Sequence, residues 1–183
     1  MEGRFERAIA AIDAANADDP YTIAVAGEER PKELAHAELV TTWVRRLRPD
    51  PSEELLLAAR AHHLRRWAVP RASYPEGRAG YLRWRRDLHR IHARDVAEIL
   101  QREGYDEASV RRVQDIVQKR NLKSDPEVQV LEDALCLVFL ETQLDELVER
   151  LEPEKAADVL TKTLEKMTPE GRRLATQFLP SNQ

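Results

Sequence analysis

Apolar side chains recur at intervals of three and four residues along most of the chain, the spacing that places them on one face of an α-helix. Phe5, Ile9 and Ile12 predict a first helix over residues 4–16. Proline, glycine and capping residues divide the remainder into further helices. We predict these over about residues 31–46, 52–67, 78–102 and 106–120, with others beginning near residues 124, 153 and 169. The pattern therefore predicts an all-α fold of about seven to eight helices.

Two segments depart from the simple amphipathic pattern. Residues 21–25 favour a β-strand by composition but are short and isolated, so we expect an extended connector or at most a minor strand. The run over residues 135–140 is apolar on every side, which predicts the central helix of a bundle. We expect one helical domain over residues 1–183, with covering helices over about 153–178 and a loose tail over 180–183.

The composition is typical of a folded, water-soluble chain. Of 183 residues, 42% are hydrophobic and 34% are charged, an apolar share too high for a disordered protein. A single cysteine excludes an internal disulfide framework, and no stretch approaches the roughly 20 apolar residues that span a bilayer. The first residues are charged and lack the apolar core of a signal peptide. We therefore expect a cytoplasmic protein without a membrane partner, in which the charged C-terminal helices form a solvated cover or a homodimer contact.

Positive charge is concentrated in one segment. The net charge of the chain is −4, yet residues 60–94 contain ten arginines against only Glu76 and Asp87, which gives this segment +8 and leaves −12 for the remainder. All five histidines also lie between positions 36 and 92. A local arginine cluster in an acidic protein favours a ligand with phosphate or carboxylate groups over general binding of nucleic acid.

Three of the histidines follow apolar helix positions. His36 shares a face with apolar residues three, four and seven positions later, and His62 and His63 end the apolar run of the third predicted helix. In one interpretation His36 is a hydrogen-bonded core residue and the His62–His63 pair is solvated at a helix end. In the other, all three side chains flank one site.

Asp133 lies on the apolar face of the sixth predicted helix, in line with Val130, Leu137 and Leu140. A buried carboxylate without a partner is costly, so this position requires a cation. Metal ligation and a salt bridge with one of the arginines are both compatible with it.

A fourth histidine and a group of arginines and aromatic residues follow along the chain. His92 is in line with apolar residues of the fourth predicted helix, whereas His89, on the same face, is more typical of an exposed histidine. Arginine alternating with tryptophan and tyrosine supplies guanidinium groups for phosphate and rings for stacking; a solvated basic face with aromatic packing is the alternative. The residues predicted to bind a phosphorylated substrate are Arg66, Arg71, Tyr74, Arg78, Trp84, Arg85 and Lys119.

The order of these residues resembles the HD-domain metal-dependent phosphohydrolases, which are all-α and carry one histidine, a later His-Asp doublet and a distant aspartate. Residues 57–63 look like the run that leads into the doublet, and the resemblance covers about residues 30–140. It implies a divalent transition metal (zinc, manganese, iron or cobalt) held by His36, His62, His63 and Asp133. His63 stands where that family has the aspartate of the doublet. This leaves open a site of three histidines and one aspartate, a site with only one of the two adjacent histidines, or no metal.

A more specific resemblance is to a family of small proteins without an assigned function, domain of unknown function 4202. It extends from residue 4 nearly to the end of the chain and supplies no activity. The runs that look like those of this family are Arg66-Trp67, Pro70-Arg71, Tyr74-Pro75, Gly80-Tyr81-Leu82, Trp84-Arg85 and Leu131-Glu132-Asp133.

Three functional hypotheses follow. The first is a metal-dependent phosphohydrolase for a small nucleotide or phosphate ester, with arginines on the phosphate and His92 donating a proton to the leaving oxygen; it predicts that Asp133→Ala loses metal and activity. The second, ranked lower because His63 removes a bridging carboxylate, is an iron oxygenase of the HD type. The third is a catalytically inactive HD-like module that binds an anionic ligand, such as a nucleotide or RNA end, through the arginine cluster. Nucleic acid is possible but not favoured as a partner.

Overall fold

The computed structural model describes residues 3–179, so the predicted tail over 180–183 lies outside the described residues. The helices are α1 (Arg4–Ala17), α2 (Lys32–Leu47), α3 (Glu53–Ala61), α4 (Gly77–Arg102), α5 (Glu107–Val117), α6 (Pro126–Arg150), α7 (Pro153–Glu165) and α8 (Pro169–Ala175). Strands β1 (Thr22–Val25) and β2 (Glu28–Pro31) form a hairpin, and short 3-10 turns occupy Arg66–Ala68, Arg71–Ser73 and Thr176–Phe178. The all-α fold predicted from the sequence is confirmed. No helix within residues 3–179 is both long and apolar enough to cross a membrane.

The starts of the helices follow capping chemistry. The side chains of Ser52, Asp106, Asp125 and Thr168 accept hydrogen bonds from the first-turn backbone N–H groups of α3, α5, α6 and α8. Such caps satisfy donors that have no partner inside the helix. Proline occupies the first turn of α6, α7 and α8, where its missing N–H costs nothing. These local signals explain why the starts of these helices could be predicted closely.

Helix α6 lies at the centre of the bundle and packs against α2, α3, α5, α7 and α8. Its residues Leu131, Leu137 and Val138 are completely buried. Burial of apolar surface is the main stabilising term in such a core. The position agrees with the central helix expected around residues 135–140.

The hairpin contains one segment that the sequence predicts to be extended and a second strand that it does not predict. β1 pairs antiparallel with β2 across a two-residue turn in which Ala26 and Gly27 have positive φ angles of 52° and 85°. Such a turn matches the twist of two adjacent strands. β2 is rich in charged residues, so its sequence does not indicate a strand; Pro31, which the sequence predicts to open the second helix, instead ends β2, and α2 begins at Lys32.

Helix α3 ends at Ala61 rather than near residue 67. The chain then turns, and Arg65 adopts a left-handed conformation with φ of 53°. Adjacent residues inside a helix point about 100° apart, but in this turn the ring centroids of His62 and His63 are only 4.2 Å apart. Two consecutive histidines at the end of α3 therefore face one site.

Gly80 lies where the loop before α4 crosses the first turn of that helix. A Cβ atom at this position would come within 1.8 Å of the Pro75 carbonyl oxygen. Helix propensity alone predicts that Gly80→Ala stabilises the protein by about 1 kcal/mol. We expect instead that it lowers the free energy of unfolding by about 2 kcal/mol, because the clash is with backbone. Urea denaturation measures this difference, with Ala79→Gly at the exposed neighbouring position as the control, and a more stable Gly80→Ala protein would contradict the packing.

Candidate metal and anion site

Three histidine side chains converge between α2 and the end of α3. His36 lies on the buried face of α2, and His62 and His63 occupy the turn that follows α3. One nitrogen from each ring lies within 4.8 Å of the others. The described residues, 3–179, contain many histidine, cysteine, aspartate and glutamate side chains that could bind a metal. Among them, these three histidines form the cluster compact enough to share one ion.

The hydrogen bonds of His62 determine which of its nitrogens can bind a metal. Its Nδ1 lies 2.8 Å from the Ala59 carbonyl oxygen, and because a carbonyl only accepts, Nδ1 carries the proton. The Nε2 atom of the neutral ring therefore has a lone pair, and it lies 3.4 Å from Nδ1 of His36. Two nitrogens bound to one tetrahedral zinc ion also lie about 3.4 Å apart, so this spacing fits a shared ion.

Burial keeps the three imidazoles uncharged. It lowers the pKa of His36, and it lowers the pKa of His62 and His63 well below the usual 6.5, because a charged ring would lose its hydration. The guanidinium of Arg66 further lowers the pKa of His63. Neutral imidazole is the form that binds metals. The three residues therefore fit a divalent transition metal at neutral pH.

Glu33 and Arg66 flank His63. The Glu33 Oε2 atom lies 3.1 Å from His63 Nδ1, as in metal sites where a carboxylate orients a histidine ligand. Glu33 is fixed in turn because its backbone N–H donates to Asp19 Oδ2 at 2.9 Å. The Nη1 atom of Arg66 lies 2.9 Å from His63 Nε2, so a cationic side chain already contacts this nitrogen.

His92 adds a fourth ring beside the cluster. It is 1% exposed, and its ring centroid lies 6.0 Å from that of His63. Its Nδ1 donates to the Leu64 carbonyl at 2.8 Å, which leaves Nε2 as a buried acceptor without a partner among the described residues. Burial lowers the pKa of His92 to about 4. The proton-donating role predicted for His92 therefore does not fit its resting state, in which Nε2 accepts.

A cavity of about 340 Å³ opens against these rings, and His36, His63, His89 and His92 are among the residues that line it. Its wall also carries four cationic side chains, those of Arg66, Arg85, Lys119 and Lys166, of which Lys119 is paired with the buried Glu132. Among the described residues that line the cavity, none is an aspartate or glutamate. Burial and the charges of Lys119 and Arg85 lower the pKa of His89 to about 4. A concave wall of one charge sign favours an anionic ligand.

Asp133 does not join the histidine cluster. Its Oδ1 atom accepts hydrogen bonds from the Thr168 backbone N–H at 3.0 Å and from Gln129 Nε2 at 2.9 Å, and its Oδ2 atom accepts one from the Thr168 hydroxyl. The carboxylate thus caps the start of α8 through neutral donors. Neither the metal role nor the salt bridge predicted for Asp133 is supported by this placement, because its oxygens are already satisfied.

Four residues predicted to bind substrate lie away from the cavity. Arg71 donates to the carbonyls of Tyr74 and Pro75 at 3.0 and 2.9 Å, and with Trp84 it lines a neighbouring groove of about 510 Å³. The Tyr74 hydroxyl donates to Asp87 at 3.2 Å, and Arg78 is exposed. Of the predicted set, the structure brings Arg66, Arg85 and Lys119 to the cavity.

Three residues at the site were not predicted. Glu33 lies one helical turn before His36, and this spacing could have suggested a partner for a nearby histidine. Gln143 Nε2 lies 3.4 Å from His36 Nε2. Lys166 follows α7, and nothing in the sequence around it distinguishes a cavity residue from one on a solvated cover.

Comparison with known proteins identifies the family of this chain but assigns no activity to it. No curated protein matches the chain, and no solved structure matches it. The family described as Domain of unknown function (DUF4202) matches residues 6–183. This match covers nearly the whole chain, including every residue of the histidine cluster and of the cavity wall. The chain therefore belongs to the DUF4202 family.

Proposed function

We propose that this protein is a metal-dependent phosphohydrolase acting on a small phosphorylated ligand, a nucleotide or another phosphate ester. One observation carries the proposal: three uncharged imidazoles converge beside a cavity lined by four cationic side chains, one of them paired with Glu132, and, among the described lining residues, by no carboxylate. Once Arg66 is displaced from His63 Nε2, the three nitrogen donors would leave a fourth position open, as in catalytic zinc sites. The cations supply binding energy for phosphate oxygens.

Different residues of the site have different roles in such a reaction. A divalent ion held by His36, His62 and His63 would supply a Lewis acid and a water molecule of lowered pKa. Arg85 and Lys166 bind the phosphate oxygens and offset the negative charge that grows as water attacks phosphorus, whereas Lys119 is already paired with Glu132. The Nε2 atom of His92 accepts a hydrogen bond from a water molecule in the cavity and orients it.

The experiment is metal analysis by mass spectrometry on protein purified without a histidine tag or chelator, followed by assays of phosphate release. We expect near-stoichiometric transition metal and release of phosphate from nucleoside monophosphates or p-nitrophenyl phosphate by the metal-loaded protein. Protein that takes up no zinc, manganese, iron or cobalt when these are supplied would contradict the proposal. Metal-loaded protein that releases no phosphate from any ester would contradict it as well.

A second function is favoured by the contact between Arg66 and His63. Because the guanidinium already lies 2.9 Å from His63 Nε2, the site is satisfied in part without a metal. A module that binds a phosphorylated ligand without hydrolysing it needs only the cationic wall. Calorimetry with inorganic phosphate and a chelator separates the two functions, since a metal-free module would keep its full affinity for phosphate.

Substitution of Arg85 tests the anionic-ligand part of both functions. Arg85 lines the cavity, and its guanidinium lies 5.9 Å from the ring centroid of Tyr81. Loss of one charge-assisted hydrogen bond to phosphate costs about 1.5–3 kcal/mol, so we expect Arg85→Gln to raise KM for the ester, or Kd for phosphate, by about tenfold or more. Arg102→Gln, at the exposed far end of the same helix, is the matched control and should change neither. Equal values for both variants would show that Arg85 does not contact the ligand.

A further inference from the structure

The backbone turn after His62 and His63 has a conformation that its own residues do not favour. The Arg66 N–H donates to the His63 carbonyl at 3.0 Å, so Leu64 and Arg65 occupy the middle of a four-residue turn. Arg65 has a positive φ of 53°. A positive φ at the third position of a turn favours glycine, because a Cβ atom crowds the backbone there. Contacts from outside the turn must therefore keep Arg65 in this conformation.

Two buried side chains hold the peptide unit between Leu64 and Arg65. The Leu64 carbonyl accepts a hydrogen bond from His92 Nδ1 at 2.8 Å, and the Arg65 N–H donates to the Oδ1 atom of Asn16 at 3.1 Å. The C=O and N–H of one trans peptide are coplanar and point in opposite directions. Turning this peptide over would therefore break both hydrogen bonds at once.

Asn16 reaches this peptide from a distant part of the chain. It lies in the last turn of α1, is completely buried and is not among the described residues that line the cavity. Its Nδ2 atom has no hydrogen-bond partner among the described residues. A buried N–H without a partner costs free energy, so stability alone does not explain an asparagine at this position. Its acceptor oxygen, in contrast, holds a backbone N–H two residues after His63.

The same end of α1 also fixes the carboxylate beside His63. The Asp19 N–H donates to the Asn16 carbonyl at 3.3 Å, and Asp19 Oδ2 accepts from the Glu33 N–H at 2.9 Å. Glu33 Oε2 in turn lies 3.1 Å from His63 Nδ1. The backbone turn that follows His63 and its carboxylate partner are thus both tied to residues 16–19.

We propose that Asn16 is a positioning residue of the histidine site, which holds the turn that presents His62 and His63. Its effect on metal binding rests on the proposed function, whereas its effect on the turn does not. Without the Asn16 acceptor, Arg65 relaxes to a negative φ and the peptide before it turns over. The Arg65 N–H then replaces the Leu64 carbonyl beside His92, so that ring accepts at Nδ1 and carries its proton on Nε2.

Zinc affinity, measured by competition with a chromophoric chelator below the unfolding transition, tests the effect on the site. We expect Asn16→Ala to bind zinc about tenfold or more weakly, the usual loss for a residue that orients a metal ligand. Ile12→Val is the matched control, because Ile12 is a completely buried residue of the same helix. It should destabilise the protein and change zinc affinity by less than about threefold.

A second substitution at Arg65 separates positioning from a general loss of stability. Glycine adopts a positive φ without steric cost, so Asn16→Ala/Arg65→Gly should recover zinc affinity to within about threefold of the unmodified protein. Asn16→Ala/Arg65→Gln removes the same charge but keeps the Cβ atom, and should recover none. Equal recovery in the two double variants, or undiminished zinc affinity in Asn16→Ala, would overturn the proposal.

The proton on His92 tests the turn without a metal. Long-range ¹H–¹⁵N spectra of histidine-labelled protein with a chelator show which ring nitrogen carries the proton, and His92→Gln identifies the signals. We expect Nδ1–H in the unmodified protein and a population of Nε2–H in Asn16→Ala; an unchanged tautomer would overturn the proposal. This change in a protein that binds no zinc would reject the proposed hydrolase and keep the inference. Zinc binding and phosphate release that persist in Asn16→Ala would do the reverse.

Discussion

Replacing His62 with alanine is expected to lower the affinity for a divalent transition metal by more than about 100-fold. Loss of a residue that only orients a metal ligand typically costs 10- to 100-fold, and we propose His62 as a direct ligand, with its Nε2 lone pair 3.4 Å from His36 Nδ1. Competition with a chromophoric chelator measures the affinity for zinc. Circular dichroism establishes that the variant is folded at the temperature of the measurement, because the buried ring leaves a cavity when it is removed.

His89→Ala is the matched control for this prediction. His89 lines the same cavity but does not belong to the compact cluster, so its loss should change zinc affinity by less than about threefold. Since burial lowers the pKa of the three cluster histidines, proton competition should weaken zinc binding only below pH 6.5, in contrast to an exposed histidine site. Equal affinity in His62→Ala and the unmodified protein would remove His62 from the ligand set.

Local sequence patterns account for most of the fold. The 3.6-residue period and the caps at Ser52, Asp106 and Thr168 act within one or two turns, so helix existence and helix starts follow from neighbouring residues. The β-hairpin could not be predicted in full because its second strand is charged, and pairing with β1 rather than composition decides its conformation. The end of α3 was not predicted correctly, because Arg65 adopts a left-handed backbone conformation that the neighbouring residues do not indicate.

The interpretation in which His36, His62 and His63 flank one site agrees with their convergence in the structure. His36 lies on the buried face of its helix as its apolar neighbours predict, and His62 and His63 meet it from the turn that follows α3. Asp133 shows the limit of the method. Burial of a carboxylate can be inferred from its apolar neighbours, but the identity of the group that satisfies it cannot, because Thr168 approaches from 35 residues away in sequence.

The Asp133→Ala variant is expected to lower the free energy of unfolding by about 3 kcal/mol while leaving metal affinity unchanged. The substitution removes the acceptor of both the backbone N–H and the hydroxyl of Thr168 and of the Gln129 amide. Hydrogen bonds to a charged group contribute about 1.5–3 kcal/mol each and are not additive within one network. The start of α8, which packs on α6, loses its anchor. Urea denaturation followed by circular dichroism measures the change.

Asp145→Ala provides the control, because it removes an exposed acid from the same helix and should change stability by less than about 0.5 kcal/mol. Metal affinity of Asp133→Ala is measured below its unfolding transition, so that loss of fold and loss of a ligand are separated. A folded Asp133→Ala protein that no longer binds zinc would restore Asp133 to the metal site and contradict the hydrogen-bonding pattern. Zinc affinity that persists in Asp133→Ala but is lost in His62→Ala would instead assign the metal to the histidines and Asp133 to the anchoring of α8.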